Sequence, residues 1–114
     1  MNTVSLIGNL GNDPEVTVLP SGTPMANFRL AVNETYRKGS ENVKKTVWVR
    51  IKVFGKRAET MGRYLSKGSK IGVRGKLALD EWESEGQKRS KLYIVADNID
   101  FLPSRSGKSE AEPF

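Results

Sequence analysis

The chain has 114 residues, of which 37% are hydrophobic and 28% charged, and these values fit one domain with a small core. It contains neither Cys nor His, so disulfides, thiolate chemistry and the commonest metal ligands and general bases are excluded. A formal net charge of +6 favours a polyanionic partner, either nucleic acid or an anionic membrane surface. No signal-peptide pattern and no apolar run of membrane-spanning length is present, which predicts a cytoplasmic protein with no membrane association.

The first half of the chain alternates between apolar and polar residues in two places. Residues 4–10 form a predicted strand, which the Gly-Asn-Asp-Pro of residues 11–14 interrupts and residues 15–19 continue after a bend. A second strand is predicted over residues 25–33. The polar and basic residues 37–45 are predicted to form a mobile hairpin loop.

The clearest strand follows directly after this loop. Its apolar face consists of Val47, Val49, Ile51 and Val53. Its other face consists of Trp48, Arg50, Lys52 and Phe54. Because same-face neighbours on a strand lie about 7 Å apart, two cations are interleaved between two aromatic rings on a rigid support.

The period then changes from that of a strand to that of a helix. Ala58, Met61 and Leu65 recur at helical spacing, which predicts a helix over residues 57–67 that ends at Gly68.

Further strands are predicted over residues 70–76, 79–84 and 92–96, with a hairpin tip at residues 85–87. A small barrel suits this order, because it removes sheet edges and needs only one core. The sequence therefore predicts an all-β fold, a five-stranded Greek-key OB-fold barrel with one helix between strands 3 and 4. This domain spans residues 1–102, and a short disordered tail is predicted over residues 103–114.

Aromatic rings beside basic residues indicate the kind of ligand. Single-stranded nucleic acid exposes base faces and a flexible charged backbone, so a sequence-tolerant binder needs aromatic platforms and a basic groove. The candidate rings are Trp48, Phe54, Tyr36 and Trp82. The candidate basic contacts are Arg37, Lys38, Arg50, Lys52, Lys56, Lys67, Lys70, Arg74 and Lys76. A subunit interface or a covering loop is the alternative explanation for the Trp48 face, and a packing role is the alternative for Trp82.

Signatures of enzymes are missing from the sequence. It contains no phosphate-binding GxxxxGK loop, no HExxH motif and no nucleophile elbow, so no catalytic residue, cofactor or metal is predicted. The acidic residues Asp80, Glu81, Glu83 and Glu85 are interpreted as a solvated hairpin turn, because they lack the spacing of a calcium loop. A divalent cation bound to this cluster is the alternative.

Five segments, taken in order and spacing, resemble the bacterial single-stranded DNA-binding protein family. They are VSLIGNLGNDPEV at 4–16, ANFRLAV at 26–32, WVR with VFGK between 48 and 56, YLSKGS at 64–69, and GKL at 75–77 leading to Trp82. The resemblance covers about residues 2–102 and implies a homotetramer of OB-folds that stacks DNA bases on aromatic side chains. The first strand would then contribute to subunit contacts.

The same resemblance implies roles for single residues. The family's stacking positions are occupied by Trp48, Phe54 and Trp82, with Tyr36 where many members have Trp. Its basic contact positions match Arg50, Lys56 and Lys67. In contrast, Asp80 and Glu81 stand where many members are basic, which predicts a weaker DNA contact beside Trp82.

The C-terminal Glu-Ala-Glu-Pro-Phe resembles a reduced form of the acidic tip with which the family recruits replication and repair proteins. The candidate partner-binding residues are Glu110, Glu112, Pro113 and Phe114. A solubilising end without a partner is the alternative.

The leading hypothesis is therefore a non-enzymatic, sequence-tolerant binder of single-stranded DNA that acts in replication, recombination and repair. An RNA-binding OB module is the second hypothesis, because nothing in the sequence recognises a 2′-hydroxyl group. The third is a structural module whose aromatic face contacts another protein.

Overall fold

Six strands and one helix make up the part of the chain that the computed structural model describes, residues 1–103. In chain order they are β1 (Val4–Leu10), β2 (Glu15–Val18), β3 (Pro24–Lys38), β4 (Glu41–Phe54), α1 (Lys56–Tyr64), β5 (Lys70–Ser84) and β6 (Gln87–Phe101). Apart from Pro103, the predicted tail lies outside the described residues.

Five of these strands close into a barrel. Hydrogen-bonded neighbours follow the order β1, β5, β6, β4, β3, and β3 pairs with β1 to complete the circle. The pairings are antiparallel except for that of β4 with β6. Because β2 continues β1 after a bend and also pairs with β3, the two count as one strand of the barrel. The predicted all-β OB-fold, with its helix between strands 3 and 4, is confirmed.

The barrel interior is filled by alternate residues of the strands together with one side of α1. The largest fully buried side chains are Phe28, Leu30, Ile51, Val53, Met61 and Ile71. Burial of an aliphatic or aromatic side chain contributes about 1.5–3 kcal/mol relative to exposure. A one-residue slip of a strand would move its whole apolar set to solvent, so the core determines the register.

The bend between β1 and β2 is fastened to two other parts of the fold. The Gly11 N–H donates to the carbonyl of Arg29 over 2.8 Å, and the Arg29 N–H donates to Asn12 Oδ1 over 2.9 Å. The Lys67 N–H donates to Asp13 Oδ1 over 2.8 Å. The bend therefore joins β3 and the loop after α1 to one point of the barrel wall.

The helix is shorter than the predicted span of residues 57–67. It follows Gly55, whose φ is 89°, and ends at Tyr64, because Leu65 takes an extended conformation and places its side chain in the core. Gly68 was expected to end the helix but lies four residues beyond it, in a turn with φ 95°. In the described part of the chain, no helix has the length and apolar character needed to cross a bilayer.

The β3–β4 pair extends beyond the barrel as a long hairpin arm. Its ladder continues to the pair Lys38–Glu41, so only Gly39 and Ser40 remain outside the strands. The prediction of a mobile loop over residues 37–45 is therefore wrong. Cross-strand pairing continues through this polar segment, and Gly39, with φ 66°, allows a two-residue turn.

The β5–β6 pair forms a second arm. It turns at Glu85 and Gly86, whose φ values of 53° and 77° are those of a type I′ turn. Both residues lie within the predicted tip at residues 85–87, so its position is confirmed.

We predict that Gly75→Ala destabilises the barrel by about 1–3 kcal/mol, the usual cost of overpacking. Gly75 lies where β5 shifts register against β6, and a Cβ there would collide with the backbone of Val95 and Ala96. The measurement is the urea midpoint of unfolding.

Gly72→Ala is the matched control on the same strand. A Cβ at Gly72 would lie 3.7 Å from the nearest atom, Cβ of Asp100, which is an ordinary van der Waals distance. Equal midpoints for Gly75→Ala and Gly72→Ala would contradict the prediction.

Candidate nucleic-acid interface

The outer face of β4 carries two exposed aromatic rings. The side chains of Ile51 and Val53 are fully buried, so strand alternation turns Trp48 and Phe54 to the outside of the barrel. Trp48 remains 54% exposed and Phe54 39% exposed. Burial of the opposite side of the strand therefore confirms the prediction that Trp48 and Phe54 lie on the face of β4 opposite its apolar face.

The indole of Trp48 is held on two sides. A Cβ at Gly11 would collide with its six-membered ring, so the ring packs directly against the bare backbone of the bend. The guanidinium carbon of Arg29 lies 5.1 Å from the indole centroid, a cation–π distance. These contacts orient a large, still exposed ring before any ligand arrives.

Arg29 is a candidate that the sequence analysis missed. It is the direct ladder partner of Arg50, so the two cations lie side by side on adjacent strands next to Trp48. Like charges in this position repel each other, and neither guanidinium has a carboxylate partner within residues 1–103. Alternation with the buried Phe28 and Leu30 could have placed Arg29 on the outer face, but only the register reveals its neighbours.

Lys52 lies on the same face but has partners within the protein. Its Nζ is 3.1 Å from Asp80 Oδ2 and 4.3 Å from the ring centroid of Tyr93, and its side chain is only 18% exposed. Contact of Lys52 with nucleic acid remains a prediction, and the ammonium would have to leave these partners to make it.

The two remaining candidate rings lie on different arms. Trp82 is exposed on β5, opposite Arg89, and shares a face with Asp80 and hence with the outer face of β4. Tyr36 is exposed near the tip of the β3–β4 arm, opposite Val43. Strand alternation puts Tyr36 on the same side of β3 as the core-facing residues. The structure therefore does not bring Tyr36 onto the face of Trp48.

The other predicted basic residues are distributed over β3, α1, the loop after α1 and β5. All of the following are exposed: Arg37, Lys38, Lys56, Lys67, Lys70, Arg74 and Lys76.

Four of these positions show how the basic residues are distributed. Lys56 begins α1 two residues after Phe54. Lys76 on β5 pairs with Val95 on β6, which in turn pairs with Lys52 on β4. Lys67 follows the helix and is tied to the bend that supports Trp48. Arg74 lies 3.5 Å from a carboxylate oxygen of Asp97, so its charge is partly balanced.

The acidic run at the second arm does not form a metal site. Asp80 is paired with Lys52, and no group of acidic residues within residues 1–103 is arranged to hold a metal ion.

This geometry, with exposed rings beside two neighbouring arginines on an OB-fold barrel, agrees with comparisons to known proteins. The sequence model of the "Single-strand binding protein family" matches residues 1–102. The chain belongs to the single-strand binding protein family. The resemblance found in the sequence is therefore confirmed over the whole predicted domain.

Members of the single-strand binding protein family from several organisms are similar over most of this chain. The single-stranded DNA-binding protein 1 of Synechocystis sp. is 41% identical over 113 residues, which cover 97% of this chain and 91% of the relative. The single-stranded DNA-binding protein of Aquifex aeolicus is 39% identical over 108 residues, covering 94% and 74%. The solved structure of Plasmodium falciparum SSB in complex with single-stranded DNA superposes with a TM-score of 0.83 at 31% identity, covering 90% and 96%.

We predict that Gly11→Ala displaces the Trp48 indole and weakens binding of oligo-dT about threefold to tenfold, by analogy with other packing changes near a binding site. The new methyl group occupies the position of the six-membered ring. The displacement is measured as a red shift and easier acrylamide quenching of Trp48 emission in a Trp82→Phe background. Gly72→Ala is the control, and an unchanged Trp48 spectrum in Gly11→Ala would contradict the prediction.

Proposed function

We propose that this chain binds and protects single-stranded DNA without catalysis and with little sequence preference, in DNA replication, recombination and repair. The observation that carries the proposal is the outer face of β4 with the adjoining part of β3, where Trp48 and Phe54 are exposed and, among residues 1–103, no carboxylate pairs with Arg29 or Arg50. The names of the curated relatives and the DNA-bound Plasmodium protein support it. The proposed location is the cytoplasm, where bacterial DNA is replicated.

Stacking explains why a single strand is the proposed ligand. A base can lie flat on Trp48 or Phe54 only when it is free of its complementary strand, because a duplex hides both faces of each base. Every base has such a face, so the contact tolerates any sequence. Stacking contributes about 1–3 kcal/mol per base, enough for a few rings to hold a strand.

The phosphates are assigned to the cations beside the rings. Arg29 and Arg50 repel each other in the free protein, and a phosphate placed between them would relieve that repulsion. Lys56 and Lys76 would continue the path on either side of the β4 face. Tyr36 and Trp82 would extend it along the two arms, and the two rings would approach the strand from different sides.

The proposed active form is a homotetramer. The exposed aliphatic side chains include Ile7 on β1 and Leu77, Leu79 and Leu92 on the second arm. Leu79 and Leu92 are direct ladder partners and lie on the face of the arm opposite that of Trp82. Exposed apolar groups of this kind are typical of subunit contacts. Assembly through that face would leave the aromatic face free for DNA.

The C-terminal end is proposed to recruit other proteins of replication and repair. Glu110, Glu112, Pro113 and Phe114 lie outside the described residues, so this proposal depends on their sequence. Two carboxylates beside a terminal aromatic ring suit a basic pocket with an apolar floor. Residues 1–102 are the proposed DNA-binding unit and residues 103–114 its partner-binding extension.

We predict that Trp48→Ala and Phe54→Ala each weaken binding of oligo-dT by about 1–3 kcal/mol, because each removes one stacking platform. The measurement is a titration followed by fluorescence quenching. Trp82 still reports binding in Trp48→Ala, because the chain contains only two Trp residues.

Val18→Ala is the control, since it removes exposed apolar surface on β2 and should leave the affinity unchanged. Wild-type affinity in a variant carrying both Trp48→Ala and Phe54→Ala would contradict the stacking mechanism. RNA of equal length, used as competitor, tests the preference for DNA, and the mass in solution tests the tetramer.

We predict that Arg29→Met and Arg50→Met each reduce the slope of log affinity against log salt concentration by about 0.7, the share of one phosphate of a single strand. The slope is measured with oligo-dT over a series of NaCl concentrations. Arg63→Met on α1 is the control for loss of one positive charge away from the proposed path. A wild-type slope in both Arg29→Met and Arg50→Met would remove these residues from the phosphate path.

A further inference from the structure

We propose that Lys52, Asp80 and Tyr93 form a clamp that fixes the β5–β6 arm, and with it Trp82, relative to the outer face of β4. Lys52 is then a positioning residue and its ammonium holds no phosphate. The effect on DNA binding rests on the proposed function, whereas the effect on the arm does not.

The clamp lies at a narrow junction. The parallel ladder of β4 and β6 contains only two residue pairs, Ile51 with Ile94 and Lys52 with Val95. The antiparallel ladders on either side, β3 with β4 and β5 with β6, run along nearly the whole length of their strands. Each arm is therefore held together by its own long ladder, while few backbone hydrogen bonds determine the angle between the two arms.

Lys52 bridges this junction with its side chain. It starts on β4, passes the ring of Tyr93 on β6 at 4.3 Å and reaches Asp80 on β5 at 3.1 Å. Neighbouring strands are about 4.8 Å apart, so the side chain spans two strand spacings. The Lys52 side chain is 18% exposed and that of Asp80 is 43% exposed, so water screens the pair only in part.

The clamp also connects two candidate stacking rings. Phe54 is two residues beyond Lys52 on the same face of β4, and Trp82 is two residues beyond Asp80 on the same face of β5. A fixed arm presents Trp82 in one orientation relative to Phe54, so a strand that contacts both rings need not first order the arm. Loss of the clamp should therefore weaken binding although it removes no group that touches DNA.

A direct role of Lys52 in holding phosphate makes the opposite prediction for Asp80. If Asp80 merely competed with phosphate for the ammonium, Asp80→Asn would free Lys52 and strengthen binding. If Asp80 holds the arm, the same variant weakens binding relative to any other variant that removes one negative charge nearby. Glu81→Gln supplies this comparison, because Glu81 is adjacent in sequence and lies on the opposite face of β5.

The experiment uses the full chain in a Trp48→Phe background, in which Trp82 is the only Trp. Five proteins are compared: the background itself, Lys52→Met, Asp80→Asn, Glu81→Gln, and the variant that carries both Lys52→Met and Asp80→Asn. The first readout is time-resolved anisotropy of Trp82 emission without DNA, which reports nanosecond motion of the arm. The second is the affinity for oligo-dT and its salt slope.

We predict a larger fast component of Trp82 anisotropy in Lys52→Met and Asp80→Asn than in the background or Glu81→Gln. Relative to Glu81→Gln, Asp80→Asn should bind oligo-dT about threefold to tenfold more weakly, as expected for residues coupled through one contact. The salt slope of Lys52→Met should equal that of the background, because no phosphate contact is lost. The variant that carries both Lys52→Met and Asp80→Asn should bind no more weakly than Lys52→Met.

Two results would overturn the proposal: unchanged Trp82 anisotropy in both clamp variants, or affinity of Asp80→Asn equal to or above that of Glu81→Gln. A decrease of about 0.7 in the salt slope of Lys52→Met would assign Lys52 to phosphate instead. If the unsubstituted chain does not bind oligo-dT, the proposed function fails, and the anisotropy without DNA still decides whether the clamp exists.

Discussion

The closed barrel has a single interior, and this constraint determines the direction of the side chains on the part of β4 that belongs to the barrel. Ile51 and Val53 fill the core together with residues of the other strands, so their neighbours in sequence must face outward. Trp48 and Phe54 are therefore not exposed by chance or through a flexible loop. They stand on a strand whose opposite face is held by the core, so the proposed binding surface has the rigidity of the barrel.

Features that depend on one strand or one turn could be predicted from the sequence. Alternation in residues 47–54 was sufficient to place the aromatic rings outward, and the Glu-Gly pair at residues 85 and 86 marked a hairpin tip. The chain order of strands and helix was sufficient to indicate the OB-fold. In the first two cases the physical signal lies within about ten residues of the chain, and the fold follows from the order of such local signals.

Features that depend on pairing between strands could not be predicted in this way. Arg29 becomes the neighbour of Arg50 only through the register of β3 and β4, and Lys52 meets Asp80 across 28 residues of sequence. The β3–β4 arm shows a related difficulty. Apart from the pair Tyr36–Val43, both faces of its outer part are polar, so alternation disappears although the backbone ladder continues. The helix ends early because Leu65 takes an extended conformation while its side chain is buried in the core, which local propensity does not reveal.

The bend at residues 11–14 both joins separate parts of the fold and supports an exposed aromatic ring. The bend is hydrogen-bonded to β3 through the Gly11 N–H and the Asn12 side chain, and to the loop after α1 through the Asp13 side chain. The backbone of Gly11 also supports the indole of Trp48. An opening of the seam between β1 and β3 would therefore release the indole while most of the core stays folded. The upper temperature at which this surface keeps its shape would then be set by that seam, below the temperature at which the whole barrel unfolds.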